Sequence, residues 1–64
     1  MPRYHFVVRA PDDTSDDPDG VPFPKHEAAM EHGHRIAREL KEDGYRGTLL
    51  IHNETGQTVY SIPF

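Results

Sequence analysis

The sequence predicts an α+β fold, with a single helix packed on one face of a small antiparallel sheet in the order β, short β, α, β, β. Three observations predict it. Residues 25–44, KHEAAMEHGHRIARELKEDG, repeat with helical period. Residues 3–9, RYHFVVR, alternate with the period of a half-buried strand. Residues 48–53 and 57–62 flank Asn53, Glu54, Thr55 and Gly56, a hairpin turn sequence. Residues 1–64 read as one domain, with an acidic loop at 11–20, the helix at about 25–43 and the hairpin at about 48–62.

The helix organises the rest. At about 100° per residue from Ala29, Gly33, Ile36 and Leu40 fall on one stripe, flanked by His26 and Ala37. Glu27, Glu31, His34, Arg35, Arg38, Lys41 and Glu42 occupy the opposite side. Gly44 is the expected left-handed residue that ends the helix. Pro24 suits an early helical position, but no Ser, Thr, Asp or Asn stands beside it as a cap. The small residues at 29, 33 and 37 predict close approach to a flat surface, most simply a sheet.

In the first strand Tyr4, Phe6 and Val8 lie on one face and Arg3, His5, Val7 and Arg9 on the other. Val21, Pro22 and Phe23 fit a short edge strand folding back on the first, where Pro22 lacks an N–H and can face only the open side. In the hairpin, pairing Asn53 with Gln57 sets Ile51 opposite Val59 and Leu49 opposite Ser61. Leu49, Ile51 and Val59 are then expected under the helix with Tyr4, Phe6 and Val8. Leu50, Tyr60, Ile62 and Phe64 are left with Val7 on the uncovered face. A slip of one residue would exchange the two sets.

A chain of 64 residues makes a single domain, burying only about 60% of the surface its unfolded form exposes. Cysteine is absent, so neither a disulfide nor a thiolate ligand or nucleophile is available. No apolar run approaches the roughly 18 residues of a membrane span. The first residues lack the apolar core of a signal peptide, and a soluble, cytoplasmic protein is expected. The formal charge of −4, from eleven acidic and seven basic residues, argues against nucleic-acid phosphates as a general target. Five of the acidic residues lie between Asp12 and Asp19, and the rest of the chain is near neutral.

Motifs for chemistry are weak. His26, His32 and His34 are separated by six, eight and two residues, never by the three or four that put two ligands on one helical face. His5 and His52 lie on different strands that the sheet order can bring together. Ser15, Asp17, Asp19 and Gly20 echo positions one, three, five and six of a calcium loop. Position twelve, where a bidentate Glu belongs, is His26. There is no G-x-S-x-G, P-loop or G-x-G-x-x-G. The expectation is therefore a protein that is not an enzyme, with no cofactor, no metal, no nucleic acid and no membrane.

The apolar excess on the uncovered face points to interaction. Leu50, Tyr60, Ile62 and Phe64 form the candidate interaction surface, serving a homodimer or an unidentified protein partner through the open sheet face or an edge strand. The competing reading has Phe64 packing into the core. The alternative function is a small ligand- or metal-sensing domain using His5, His52 and the acidic loop.

Met1-Pro2-Arg3-Tyr4-His5-Phe6, Asp19-Gly20, Glu27-Ala28-Ala29, Asn53-x-x-Gly56 and Ile62-Pro63-Phe64 occur in that order. With them the chain resembles, over essentially its whole length, a small proteobacterial, largely rhizobial, domain-of-unknown-function family that starts MPRY-F and ends in V/I-P-F. The resemblance implies a fold and no activity. Lys25 stands where that family has an acidic cap, His26 where it has an apolar residue, and Gly47 near its common Trp, which implies a looser core. A weaker likeness, at the level of fold alone, is to antitoxin subunits with a β-β-α-β-β core.

Overall fold

The computed structural model describes residues 1–11 and 13–64, with Asp13 described by its backbone alone. Asp12 of the acidic stretch lies outside the described residues. Five strands and one helix follow in the order β1 (Arg3–Ala10), β2 (Asp13–Ser15), β3 (Val21–Pro22), α1 (His26–Glu42), β4 (Thr48–His52) and β5 (Thr58–Pro63). All pairings are antiparallel. The sheet runs β2-β1-β4-β5, with β3 pairing the start of β1. The fold is α+β as expected, with one strand more than the sequence reading gave. Residues 13–15 belong to the sheet, pairing Ala10, Arg9 and Val8, so the acidic loop is shorter than 11–20. Proline 22 pairs with Arg3 in the two-residue edge strand, and the Phe23 N–H donates to the Pro2 carbonyl at 3.0 Å.

The ends of α1 follow from local chemistry. Its N-cap is Lys25, in extended conformation and with no side-chain capping bond. At the other end Gly44 takes φ +92°, its N–H donates to Lys41 O, and the Tyr45 N–H reaches back to Leu40 O at 2.9 Å. That pair of bonds is a Schellman motif, which satisfies carbonyls the last turn would leave open. The face turned to the sheet is centred on Ala29, Gly33 and Ala37. Ile36 and Leu40, expected in mid-stripe, lie at its margins and are half-buried. The rotation lets the helix backbone settle directly onto β4 and β5. A Cβ added at Gly33 would sit 2.7 Å from Ile51 Cδ1 and 3.2 Å from Ile62 Cδ1.

The hairpin departs from the expected register in one place, and that place decides which side chains are inside. The turn itself is as predicted. Gly56 has φ +88°, its N–H donates to Asn53 O, and the Asn53 N–H donates to Gln57 O. Asn53 Oδ1 accepts from the Thr55 N–H, the Thr55 hydroxyl and the Gln57 N–H. His52 then pairs with Thr58, but Ile51 pairs with Tyr60, Leu50 with Ser61 and Leu49 with Ile62. Val59 is the extra residue of a β-bulge, and beyond it every side chain changes face.

The physical reason is the composition of the two rows. Without the bulge, Ser61 and Pro63 would be driven under the helix while Tyr60, Ile62 and Phe64 faced water. With it, Ile62 is 7% exposed and Tyr60 and Phe64 pack against the core. Burying a side chain of that size contributes about 1.5–3 kcal/mol, more than one unpaired strand residue costs. The completed core is Tyr4, Phe6, Ala29, Ala37, Leu49, Ile51 and Ile62, with Leu49 and Ile51 fully buried.

Candidate interaction surface

Only one face of the sheet carries the helix. Cross-strand partners share a face, so the other face is built from three rows. They are His5, His52 and Thr58; then Val7, Leu50 and Ser61; then Arg9, Thr48 and Pro63, with Thr14 extending the last row on β2. The middle row is apolar on two strands and, apart from Pro63, the rows either side are polar or basic. Val7 is 8% exposed although no described element lies over it. Leu50 is half-buried and is the apolar side chain this face has left to offer.

The four residues expected to form one surface do not lie together. Leu50 remains on the uncovered face. Tyr60, Ile62 and Phe64 are turned to the helix side by the bulge at Val59. The sequence held a signal for this, because Tyr60, Ile62 and Phe64 form an i, i+2 row much larger than Val59, Ser61 and Pro63. The exposed large apolar residues are instead Met1 and Tyr45.

The free edge of β5 is poorly equipped to add another strand. Gly47 and Phe64 exchange both backbone hydrogen bonds, Phe64 N–H to Gly47 O and Gly47 N–H to Phe64 O. Inward and outward groups alternate from there, so Ile62 also bonds inward while Pro63 and Ser61 face outward. Pro63 has no N–H, and the bulge interrupts the edge at Val59. Ser61 alone offers a regular outward donor and acceptor between them.

The histidines divide into three environments. His5 and His52 are cross-strand partners, as the sheet order allowed. Their rings are engaged on opposite sides. His5 Nδ1 lies 2.7 Å from the carbonyl oxygen of Asp17, beyond the far edge of β1, and His52 Nε2 lies 3.3 Å from the Thr58 hydroxyl on β5. A carbonyl only accepts, so the first contact places a proton on Nδ1. His32 is half-buried and packs edge-on to Phe6 at 5.1 Å, with Phe23 at 5.4 Å. It is three residues from Ala29, about 60° off the buried stripe, which is the signal for its position. His26 meets Tyr4 edge-on at 5.8 Å, and His34 Nε2 lies 3.4 Å from the Tyr60 hydroxyl. Among the described residues no group of three or more His, Asp or Glu side chains is arranged to hold a metal ion.

Surface hollows are open and modest. One of about 280 Å³ is lined by Val8, Ala10, Ser15, Leu40, Tyr45 and Phe64, where the helix leaves β1 and β2 uncovered. A second of about 320 Å³ runs between α1 and β5, along His34, Ala37, Arg38, Lys41, Ile62, Pro63 and Phe64. Substrate pockets usually begin at about 300 Å³ and are enclosed. Among the described residues no helix is long and apolar enough to cross a membrane.

A family model described as a domain of unknown function (DUF6894) matches residues 3–64. The chain belongs to that family. No curated protein and no solved structure matched it. Membership spans every element from β1 to β5, so the uncovered face, the bulge and the helix–β5 groove all belong to the DUF6894 region.

Proposed function

We propose that this DUF6894 chain is a non-catalytic interaction module of the bacterial cytoplasm that self-associates through its uncovered sheet face. The observation that carries the reading is the one-sided architecture. A five-stranded sheet has a helix on one face, while the row of Val7, Leu50 and Ser61 forms the centre of the other. An apolar centre inside a polar rim is the anatomy of a protein interface. The face is preferred to the edge strand because Pro63 and the bulge leave β5 few outward groups to pair. The non-catalytic part of the reading is supported by hollows that are open and lie close to the lower limit of substrate pockets, about 300 Å³. We also take the proteobacterial, largely rhizobial group with an MPRY-F start and a V/I-P-F end to be the family matched, which the near-complete span of the match supports.

Leu50 is the residue to change, because Val7 is already almost covered. Light scattering at micromolar concentration is expected to give a mass above the monomer's, and Leu50→Glu to lower it. A monomer at every concentration tested would remove the reading. A second reading, ligand or metal sensing, draws on the pairing of His5 with His52 beside the Asp17 segment. Zinc or calcium titration followed by amide shifts tests it. Its expected signature is saturation at equimolar metal with shifts at both histidines, and smooth non-saturating shifts count against it.

A further inference from the structure

Charge is arranged on opposite edges of this sheet. The acidic segment connects β2 to β3, both of which pair the outer side of β1, whereas the groove between α1 and β5 lies at the other edge. Among the described residues of the acidic edge, Arg3 and His5 bond to backbone carbonyls. Arg3 Nη1 donates to the carbonyl oxygens of Asp19 at 3.1 Å and Gly20 at 3.4 Å, and His5 donates to that of Asp17. Asp17 Oδ1 accepts from the Gly20 N–H, closing the turn. The segment is therefore held in one shape by bonds that leave the exposed Asp16 and Asp19 carboxylates facing water.

The opposite groove has the complementary character. His34, Arg38 and Lys41 follow one another at i, i+4 and i+7 on α1, above a floor of Ala37, Ile62, Pro63 and Phe64. Among the described residues no carboxylate side chain lines it, and Glu31 enters only the neighbouring depression with His34, Arg35 and Arg38. Its cationic rim and apolar floor suit a turn carrying carboxylates and a proline, and residues 16–19, Asp-Asp-Pro-Asp, have that composition.

We propose that residues 16–19 of a second copy dock in the groove of His34, Arg38 and Lys41, with Asp16 and Asp19 set against the two exposed cations. This contact rests on the self-association reading only in that both concern copies of this chain, and it uses different surfaces. The two surfaces lie on opposite edges, so the contact is head-to-tail and leaves a free groove and a free acidic turn at the ends. It builds open chains or rings, not a closed two-fold dimer.

The experiment is sedimentation velocity on the full chain, with complementary charge reversals. Arg38→Glu/Lys41→Glu and Asp16→Lys/Asp19→Lys are each expected to weaken association about tenfold, the scale of two exposed charge pairs lost. An equimolar mixture of the two is expected to recover it. Raising salt from about 0.02 M to about 0.5 M should weaken the wild-type contact, since these charges are screened. Asp16→Asn/Asp19→Asn serves where the reversal disturbs the turn, with circular dichroism confirming the fold. A mixture no better than either variant alone, or association indifferent to salt, overturns the proposal. Association that Leu50→Glu abolishes but charge reversal leaves intact upholds the sheet face and overturns the groove. Association that survives Leu50→Glu and follows the charge reversals does the opposite.

Discussion

Gly47 shows how one residue type can be fixed by space alone. It carries no positive φ, yet a Cβ there would run into the carbonyl oxygen of Arg9 and approach Ala10 Cα to 3.1 Å. Both neighbours are backbone, which cannot swing aside as a side chain does. Its own N–H and C=O are both bonded to Phe64. The point is therefore tightly closed, where the missing Trp of the family resemblance implied looseness. Gly47→Ala is expected to cost about 3 kcal/mol by overpacking, read as a lower midpoint in urea. Gly44→Ala provides the contrast, because nothing lies within 4 Å of its added Cβ and only the left-handed backbone is penalised. Ile62 carries a second residue-scale prediction. A change to Glu loses burial worth about 1.5–3 kcal/mol and sets a carboxylate against Ile51 and the helix. Ile62→Glu is therefore expected to unfold the chain at room temperature by circular dichroism, whereas Leu50→Glu, on the open face, should stay folded there.

At the scale of the element, the β5 bulge is the feature that the sequence reading missed and the one with the widest consequence. Deleting Val59 should convert the bulge to regular pairing, because Thr58 stays opposite His52 and Tyr60 opposite Ile51. The expected cost is about 1 kcal/mol for the lost contact of Val59 with the core, measured by chemical denaturation. Deleting Ser61 instead would send Ile62 and Phe64 to the wet face, and no cooperative transition should remain. Periodicity made α1, β1 and the hairpin turn legible, because each is dictated by neighbours within four residues. The Schellman end at Gly44 and the Asn53 to Gly56 turn are local in the same sense. Strand β2 was not legible, since Asp-Thr-Ser has no strand pattern of its own and is ordered by pairing with Ala10, Arg9 and Val8. The candidate surface failed for a related reason. Counting outward from the turn gave the right partner for His52 and then carried a fixed parity past a point where burial demanded a change. Weighing the two rows by size, with Ser61 and Pro63 against Ile62 and Phe64, calls for a change of parity along β5, and the pairing places it at Val59.

The whole molecule joins a thin core to the two surfaces proposed for self-association. Leu49 and Ile51 are the largest side chains fully buried, so little reserve exists within one chain of this length. If copies associate in the native state and not in the unfolded one, stability must depend on concentration. For a fully formed dimer, a tenfold rise in concentration stabilises by about 1.4 kcal/mol per dimer, or about 0.7 kcal/mol per chain. In a domain this small that corresponds to roughly 3–5 °C in Tm. The wild type is expected to show this shift by calorimetry, and Leu50→Glu to reduce it while keeping a cooperative transition. Repeating the scan at high salt assigns the remainder. A concentration shift that persists in high salt belongs to the apolar row of Val7 and Leu50, because burial of apolar surface is not screened. A shift that high salt removes belongs to contacts between the acidic turn and the cations of α1. A Tm independent of concentration for the wild type, under both conditions, would show that one chain's core suffices and that neither surface contributes to the native state.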